Sequence, residues 1–403
     1  MSRDRIAVVG GTTPLLEHAV DLGLHVTLVT AEHALTPVDR SLADELVITD
    51  FTDGRAVHTA LAALHERLPF RLVLSLTEDG LLSAAEAAEQ LGVSLNPTEV
   101  VRLLRDKRLM RARLAVAGLS PVRAVIIRTE PDLHAFLAEV AGPVIVKPVA
   151  GSGSTNIHVV RTPAEVAALG ALLGSGAELL AEEFLTGTEI SVEAFSHQGR
   201  HVILAFTDKT LFDNGRFVEV AHVVPSAHPA PDLAAAEDLV ISFLDTVGLK
   251  EGPSHTEVML TPDGPRIIES HNRVGGDKIR LLVAHSTGFD PVRLALLVPL
   301  GRGPCPSAPV PRRGGGCIQF VVGTPGVVTR VSVPAPERDG DVVVLDVAPG
   351  DVLGELDNSD ARAGHVFALR GDRAEAVAAC ERMLGQIKIE MAPPVPEEMT
   401  RLG

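Results

Sequence analysis

Tryptophan and tyrosine are absent from this 403-residue chain. Beside plentiful alanine, arginine and glycine, that absence reads as compositional bias and carries no mechanism. Cysteine is nearly absent too: Cys305, Cys317 and Cys380 have neither the spacing of a zinc site nor the even count of a disulfide framework. Positive charge is in deficit, with a net charge of −16, which argues against nucleic acid or an anionic membrane as partner. No apolar run approaches the ~18 residues of a membrane-spanning helix, and the opening Met1-Ser-Arg-Asp-Arg leads straight into a strand-like run instead of a signal peptide. A cytoplasmic location is the expectation. Internal repeats, coiled-coil heptads and low-complexity tracts are missing as well.

What is present suffices for sizeable cores: 46% of residues are hydrophobic and 22% charged. The length predicts two or three domains, because single cores stop growing near ~250–300 residues. Over 1–97, strand-like runs at 6–9, 26–30, 45–48 and 72–75 alternate with helical periodicity at 15–22, 55–66 and 81–91. Such alternation predicts a parallel sheet with right-handed crossovers. Gly10-Gly11-Thr-Thr-Pro14 lacks the third glycine of a dinucleotide signature, so a tight strand-to-helix turn is the better reading. Glu78 falls just past the fourth strand, where open α/β sheets bind ligands. From Asn96-Pro97-Thr98 one helix is expected as far as Gly118, with Lys107 in its middle. A small α+β lid at about 121–189 follows, within a nucleotide-binding region at 98–300. The proline-rich stretch 302–313 then precedes a C-terminal α+β domain, 301–403, packing on that region.

Three groups of residues carry chemistry. The apolar run Val144-Ile-Val delivers Lys147-Pro148, and Gly151-Ser152-Gly153-Ser154 follows at once, a loop whose amides and hydroxyls suit phosphate oxygens. Next, Glu182-Glu-Phe184-Leu185-Thr-Gly187-Thr-Glu189 is a strand and turn with a carboxylate at each end. One carboxylate can accept from an adenine amine and the other from ribose hydroxyls, with the backbone of Phe184 and Leu185 along the ring edge. Third, Glu257 and Glu269 flank the hairpin turn Thr-Pro-Asp263-Gly264, so two acids lie on adjacent antiparallel strands where they can share a hard cation. Arg273 stands beside them to meet developing negative charge, and Gly275-Gly276-Asp277 permits close backbone approach to a small substrate.

The whole set resembles the ATP-grasp carboxylate–amine ligases over about residues 1–395, and within them the L-amino acid ligases that make dipeptides. The motifs that carry the likeness are Asp106-Lys107, Lys147-Pro148, Glu182-Glu-Phe-Leu-x-Gly-x-Glu189, Phe217-Val-Glu219-Val-Ala-His222-x-x-Pro225, His255-Thr-Glu257 and Ile268-Glu269-x-x-x-Arg273-x-x-Gly276. The resemblance implies an ATP-grasp fold with a Rossmann-like N-terminal domain, and ATP with Mg²⁺ or Mn²⁺ as cofactors. It implies Lys107 and Lys147 on phosphates, Glu182 and Glu189 at adenine and ribose, and Glu257 and Glu269 on the metal. Glu78, Glu219 and His222 would surround the substrates, Arg273 the reacting carboxylate, and Gly276 and Asp277 the substrate space. His222 and Glu219 are candidates for binding or deprotonating the incoming amine. Related D-alanine–D-alanine ligases carry Glu-x-Asn at the metal where this chain has Glu269-Ser-His271, leaving His271, Asn272 or neither as a further ligand. The expected partners are two small molecules, an acid and an amine, with the alanine- and leucine-rich N-terminal helices offering a surface for a homodimer. The C-terminal segment also resembles purine-biosynthetic and biotin-dependent carboxylases, so formate or bicarbonate is the alternative acid. A nucleotide-binding regulator is the alternative without catalysis.

Overall fold

Four apolar runs near the N-terminus pair in parallel in the order Glu45–Ile48, His25–Thr30, Arg5–Val9, Leu72–Leu74. The computed structural model describes residues 3–149, 156–174, 176, 178–213 and 215–392. Helices Thr13–Asp21, Pro37–Leu42 and Gly54–Arg67 connect the strands and Leu81–Gln90 follows the last of them, giving the doubly covered sheet that the alternating pattern predicts. At the first strand's end Gly10 adopts φ +58°, and a Cβ there would lie 2.6 Å from the Phe51 ring. The glycine thus serves a tight turn against an aromatic side chain.

The helix expected from Thr98 to Gly118 is two helices, Thr98–Arg105 and Lys107–Ala117. Asp106 breaks it: its backbone is extended and its carboxylate accepts from the Leu109 amide, capping the second helix. Lys107 is therefore the first residue of a helix, with its amide bonded to the Val149 carbonyl of the neighbouring lid. Asn96 does not cap the first helix either. Its side chain is spent on the backbone of Lys250 and Glu251, tying the N-terminal region to the central sheet.

The lid is a small antiparallel sheet in the order Ala124–Ile127, Leu179–Glu183, Val144–Pro148, His158–Val160, covered by the helix Glu130–Val140. The central sheet has eight strands in the order Gly264–His271, Gly252–Thr261, Thr188–His197, Arg200–Leu211, Glu219–Val224, Gly315–Val321, Gly364–Arg370, Val342–Leu345. Strands from both sides of the proline-rich stretch thus share one sheet.

Alternation along the strands sorts its residues. Ile190, Val192, Ala194, Val258 and Ile267 point into a core with Val240, Phe243 and Leu244 of the helix Ala230–Val247. Glu189, Ser191, Glu193, His255 and Glu257 alternate onto the opposite face, and a register shift between Glu257 and Val258 brings Glu269 and His271 there too, although they share the parity of Ile267. Among the described residues no helix is long and apolar enough to cross a membrane.

Candidate active site

Between lid and central sheet lies a cavity of about 600 Å³. Its apolar wall includes Ile145, Leu185, Met259 and Ile268, and its polar floor and sides include Lys107, Lys147, Glu182, Glu189, Glu219, Glu257 and Glu269. Phe184 lines it too, with its amide bonded to the Pro143 carbonyl. Lys147 arrives on the strand Val144–Pro148 beside Leu179–Glu183, so two lid strands bring lysine and glutamate together. Lys147 Nζ donates to Glu182 Oε2 at 2.7 Å. Arg111 Nε holds the other oxygen, while its terminal nitrogens donate to the carbonyls of Ile267 and Ile268. Both oxygens of Glu182 are thus already paired. Burial pushes its carboxyl up, but the Arg111 and Lys147 charges prevail and hold it at about 2. Ser152, Gly153 and Ser154 lie outside the described residues.

The two acids of the hairpin are direct cross-strand partners, Glu257 opposite Glu269. Each meets one ammonium and one imidazole. Glu257 accepts from Lys209 Nζ at 2.6 Å, with His255 Nε2 at 3.6 Å. Glu269 accepts from Lys107 Nζ at 2.7 Å, with His271 Nε2 at 3.2 Å. The far nitrogens reach a second carboxylate in turn, His255 Nδ1 at 2.8 Å from Glu193 and His271 Nδ1 at 3.0 Å from Glu78. Against burial, Lys209 holds Glu257 at about 2. Lys107 and His271 likewise hold Glu269 well below the usual carboxylate range. Burial disfavours a charged His255, yet Glu193 and Glu257 raise it to about 9.

Lys209 is a cation that the motif reading missed. It sits in the middle of the central sheet, buried, and reaches Glu189, Glu257 and Glu219, the last at 3.0 Å. Those three carboxylates lie close enough together to hold a metal ion. Burial raises Glu189 to about 7, with Lys209 opposing and Glu257 and Glu219 reinforcing the rise. The signal for Lys209 was a lone lysine in an otherwise alternating strand, placed beside His222 on the next strand. Arg111 also had a signal, since it follows Lys107 by one helical turn and shares its face.

Glu78, His222, Arg273, Gly276 and Asp277 do not line this cavity. Glu78 forms a node outside it, accepting from Arg273 Nε at 2.8 Å and Arg105 Nε at 3.2 Å. Burial notwithstanding, His271 and Arg273 hold Glu78 far below its ordinary value. His222 and Asp277 form a separate pair, 3.0 Å apart. His271 faces the acids, whereas Asn272 Nδ2 is bonded to the Pro253 carbonyl at 3.1 Å. Gly276 faces open space, but a Cβ on Gly275 would stand 2.8 Å from His255 Nδ1.

Three family models match along the chain: the ATP-grasp N-terminal domain at 16–93, the ATP-grasp domain at 140–280 and the L-amino acid ligase C-terminal domain 2 at 319–392. This is a chain of ATP-grasp domains closed by an L-amino acid ligase C-terminal domain. Carnosine synthase 1 of Gallus gallus is 31% identical over 180 residues, covering 43% of this chain and 19% of that protein. Dapdiamide A synthase of Enterobacter agglomerans is 27% identical over 224 residues, 53% of this chain and 52% of that protein. The matches thus span about half or less of these two relatives. Among solved structures, an L-amino acid ligase from Bacillus licheniformis superposes with a TM-score of 0.80 at 21% identity, covering 97% of this ATP-grasp chain and 100% of that one. The ATP-grasp fold accordingly extends through nearly the whole chain.

Proposed function

We propose that this ATP-grasp chain is an ATP-dependent carboxylate–amine ligase that joins an amino acid, or a related acid, to an amine that is itself an amino acid. The observation that carries the reading is the cavity itself: an apolar wall sized for a base, two lysines at one side, and the acids Glu257 and Glu269 in register on its floor. Lys107 and Lys147 would grip phosphate oxygens, and Glu189 the ribose. The backbone at Phe184 and Leu185 would meet the adenine edge. Buried, ionised carboxylates at Glu257 and Glu269 are the hard oxygen donors that Mg²⁺ or Mn²⁺ takes, so the residues fit the metal. When bound, such an ion supplies positive charge to phosphate oxygens.

The chemistry takes two steps. A carboxylate oxygen attacks the γ-phosphorus, the bond to the bridging oxygen breaks, and ADP leaves with that electron pair, giving an acyl phosphate. The amine then forms the C–N bond and phosphate departs. Lys107 and Lys147 stabilise charge in the first step, and Arg273 offsets charge building on the acyl oxygen in the second. Glu219 and His222 receive the amine. Relatives named for joining amino-acid substrates, such as dapdiamide A synthase, support this choice of acid and amine.

The test is phosphate release from Mg·ATP against the twenty L-amino acids, singly and in pairs, with mass spectrometry of products. A product mass equal to two amino acids minus water is the expected result. ATP turnover with formate or bicarbonate and none with any amino acid would overturn the substrate class. Nucleotide binding without turnover on a broad panel of acids and amines would overturn the ligase reading altogether.

A further inference from the structure

We propose that Arg362 and Asp277 are a positioning pair that fixes His222 for the amine half of the reaction, so that the C-terminal segment completes the acceptor side of the site. The inference rests on the ligase reading and names the parts of its second step. Asp277 stands at the centre. Arg362 grips it bidentately, Nη1 to Oδ2 and Nη2 to Oδ1, both at 2.8 Å. His222 Nε2 lies 3.0 Å from Oδ2 of the same carboxylate.

Arg362 is itself immobilised on three sides. Its guanidinium stacks on the Phe320 ring at 3.6 Å, Nε donates to the Ser359 carbonyl at 2.7 Å, and Nη1 reaches the Glu219 carbonyl at 3.4 Å. Asp277 holds its place with a backbone φ of +49°, a left-handed conformation that surrounding contacts must enforce. Burial favours a neutral Asp277, but its bonds to His222 and Arg362 keep the carboxyl far below its ordinary value.

A carboxylate accepts only, so His222 must present N–H at Nε2. Its other nitrogen, Nδ1, is buried and has no hydrogen-bond partner among the described residues, on a side chain with 1% exposure. Neutral imidazole in this tautomer carries its lone pair at Nδ1, so the pair Arg362–Asp277 sets which nitrogen can accept a proton. The step then balances. The amine lone pair forms the C–N bond to the acyl carbon, the C–O bond to phosphate breaks, phosphate leaves with that pair, and the surplus proton on nitrogen passes to Nδ1. A second arginine of the same segment steadies the far end of the His222 strand. Arg373 donates to the Pro225 carbonyl at 2.9 Å and pairs with Asp208 at 2.8 Å.

The experiment separates the two half-reactions in the full-length chain. With Mg·ATP and the acid most active in the panel, hydroxylamine traps the acyl phosphate as a hydroxamate, and the matching amino-acid acceptor gives dipeptide. In Asp277→Asn and Arg362→Gln the ratio of dipeptide to hydroxamate is expected to fall about 10- to 100-fold. Arg362→Lys, which restores charge without the fork, should recover part of it. An unchanged ratio in Asp277→Asn, whose side chain keeps its volume, would overturn the proposal even if Arg362→Gln melts early. Failure of the unsubstituted chain to give hydroxamate with any acid strikes the ligase reading instead.

Discussion

Beneath the cavity each hairpin acid is held by two cationic groups, whereas beside His222 one carboxylate, Asp277, serves an imidazole and an arginine together. Lys147 and Glu182 pair diagonally across two lid strands, and Glu257 and Glu269 lie directly opposite each other in one hairpin. Both regions also draw on distant cations, Arg362 for Asp277 and the helix residue Lys107 for Glu269. The floor is a closed network with each acid doubly held. His222 keeps one imidazole nitrogen, Nδ1, without a hydrogen-bond partner among the described residues. On the ligase reading, groups that grip a polyanion are held rigidly by buried carboxylates, while a group that takes a proton needs a partner on one side only.

The two regions should therefore break differently. Lys147→Ala is expected to lower both hydroxamate and dipeptide formation by about 10³-fold, because phosphate charge goes unopposed before any amine is involved. Parallel assays of the two products check this, and selective loss of dipeptide alone would erase the distinction. Glu182→Ala should be the most damaging change to the fold, at about 3–5 kcal/mol, since it leaves Arg111 and Lys147 buried without their shared carboxylate. Urea titration measures it. Asp277→Ala should cost less, because that carboxylate is a quarter exposed and Arg362 keeps its stacking on Phe320.

The sequence discloses what local signals carry and hides what long-range pairing decides. Parallel pairing of the four N-terminal strands and the hairpin joining Glu257 to Glu269 follow from periodicity and turn residues, which are local signals. So does the opposite-face alternation that puts Ile190 in the core and Glu189 beside the cavity. The break at Asp106 was readable as a cap, yet the helical pattern on both sides hid it. Lys209 left only the mark of a lone lysine in a strand and Arg362 left none, because nothing beside them in sequence reveals the carboxylates they meet in space. The sharing of one sheet across the proline-rich stretch was equally hidden, since strand order across a break depends on long-range pairing.

A further prediction uses the His255 bridge beneath the floor. Its folded pKa of about 9 exceeds its ordinary 6.5, so protonation favours folding. That contribution, on the order of 3 kcal/mol, is fully present below pH 6.5 and is lost as pH rises to 9. Without nucleotide, the stability gap between the unsubstituted chain and His255→Gln should narrow over that interval. A gap constant from pH 6 to about pH 10 would remove the charged bridge.

The smallest effect tests two adjacent glycines. A methyl on Gly275 would stand 2.8 Å from His255 Nδ1, so Gly275→Ala should cost about 1–3 kcal/mol by forcing the imidazole off Glu193. A methyl on Gly276 meets nothing within 4 Å, so Gly276→Ala should leave stability within about 0.5 kcal/mol. Substrate alone could feel that second methyl. A raised KM for one amino-acid substrate, with an unchanged melting temperature, would put Gly276 against it. An unchanged KM for both would confine the glycine pair's role to Gly275 and the packing of His255.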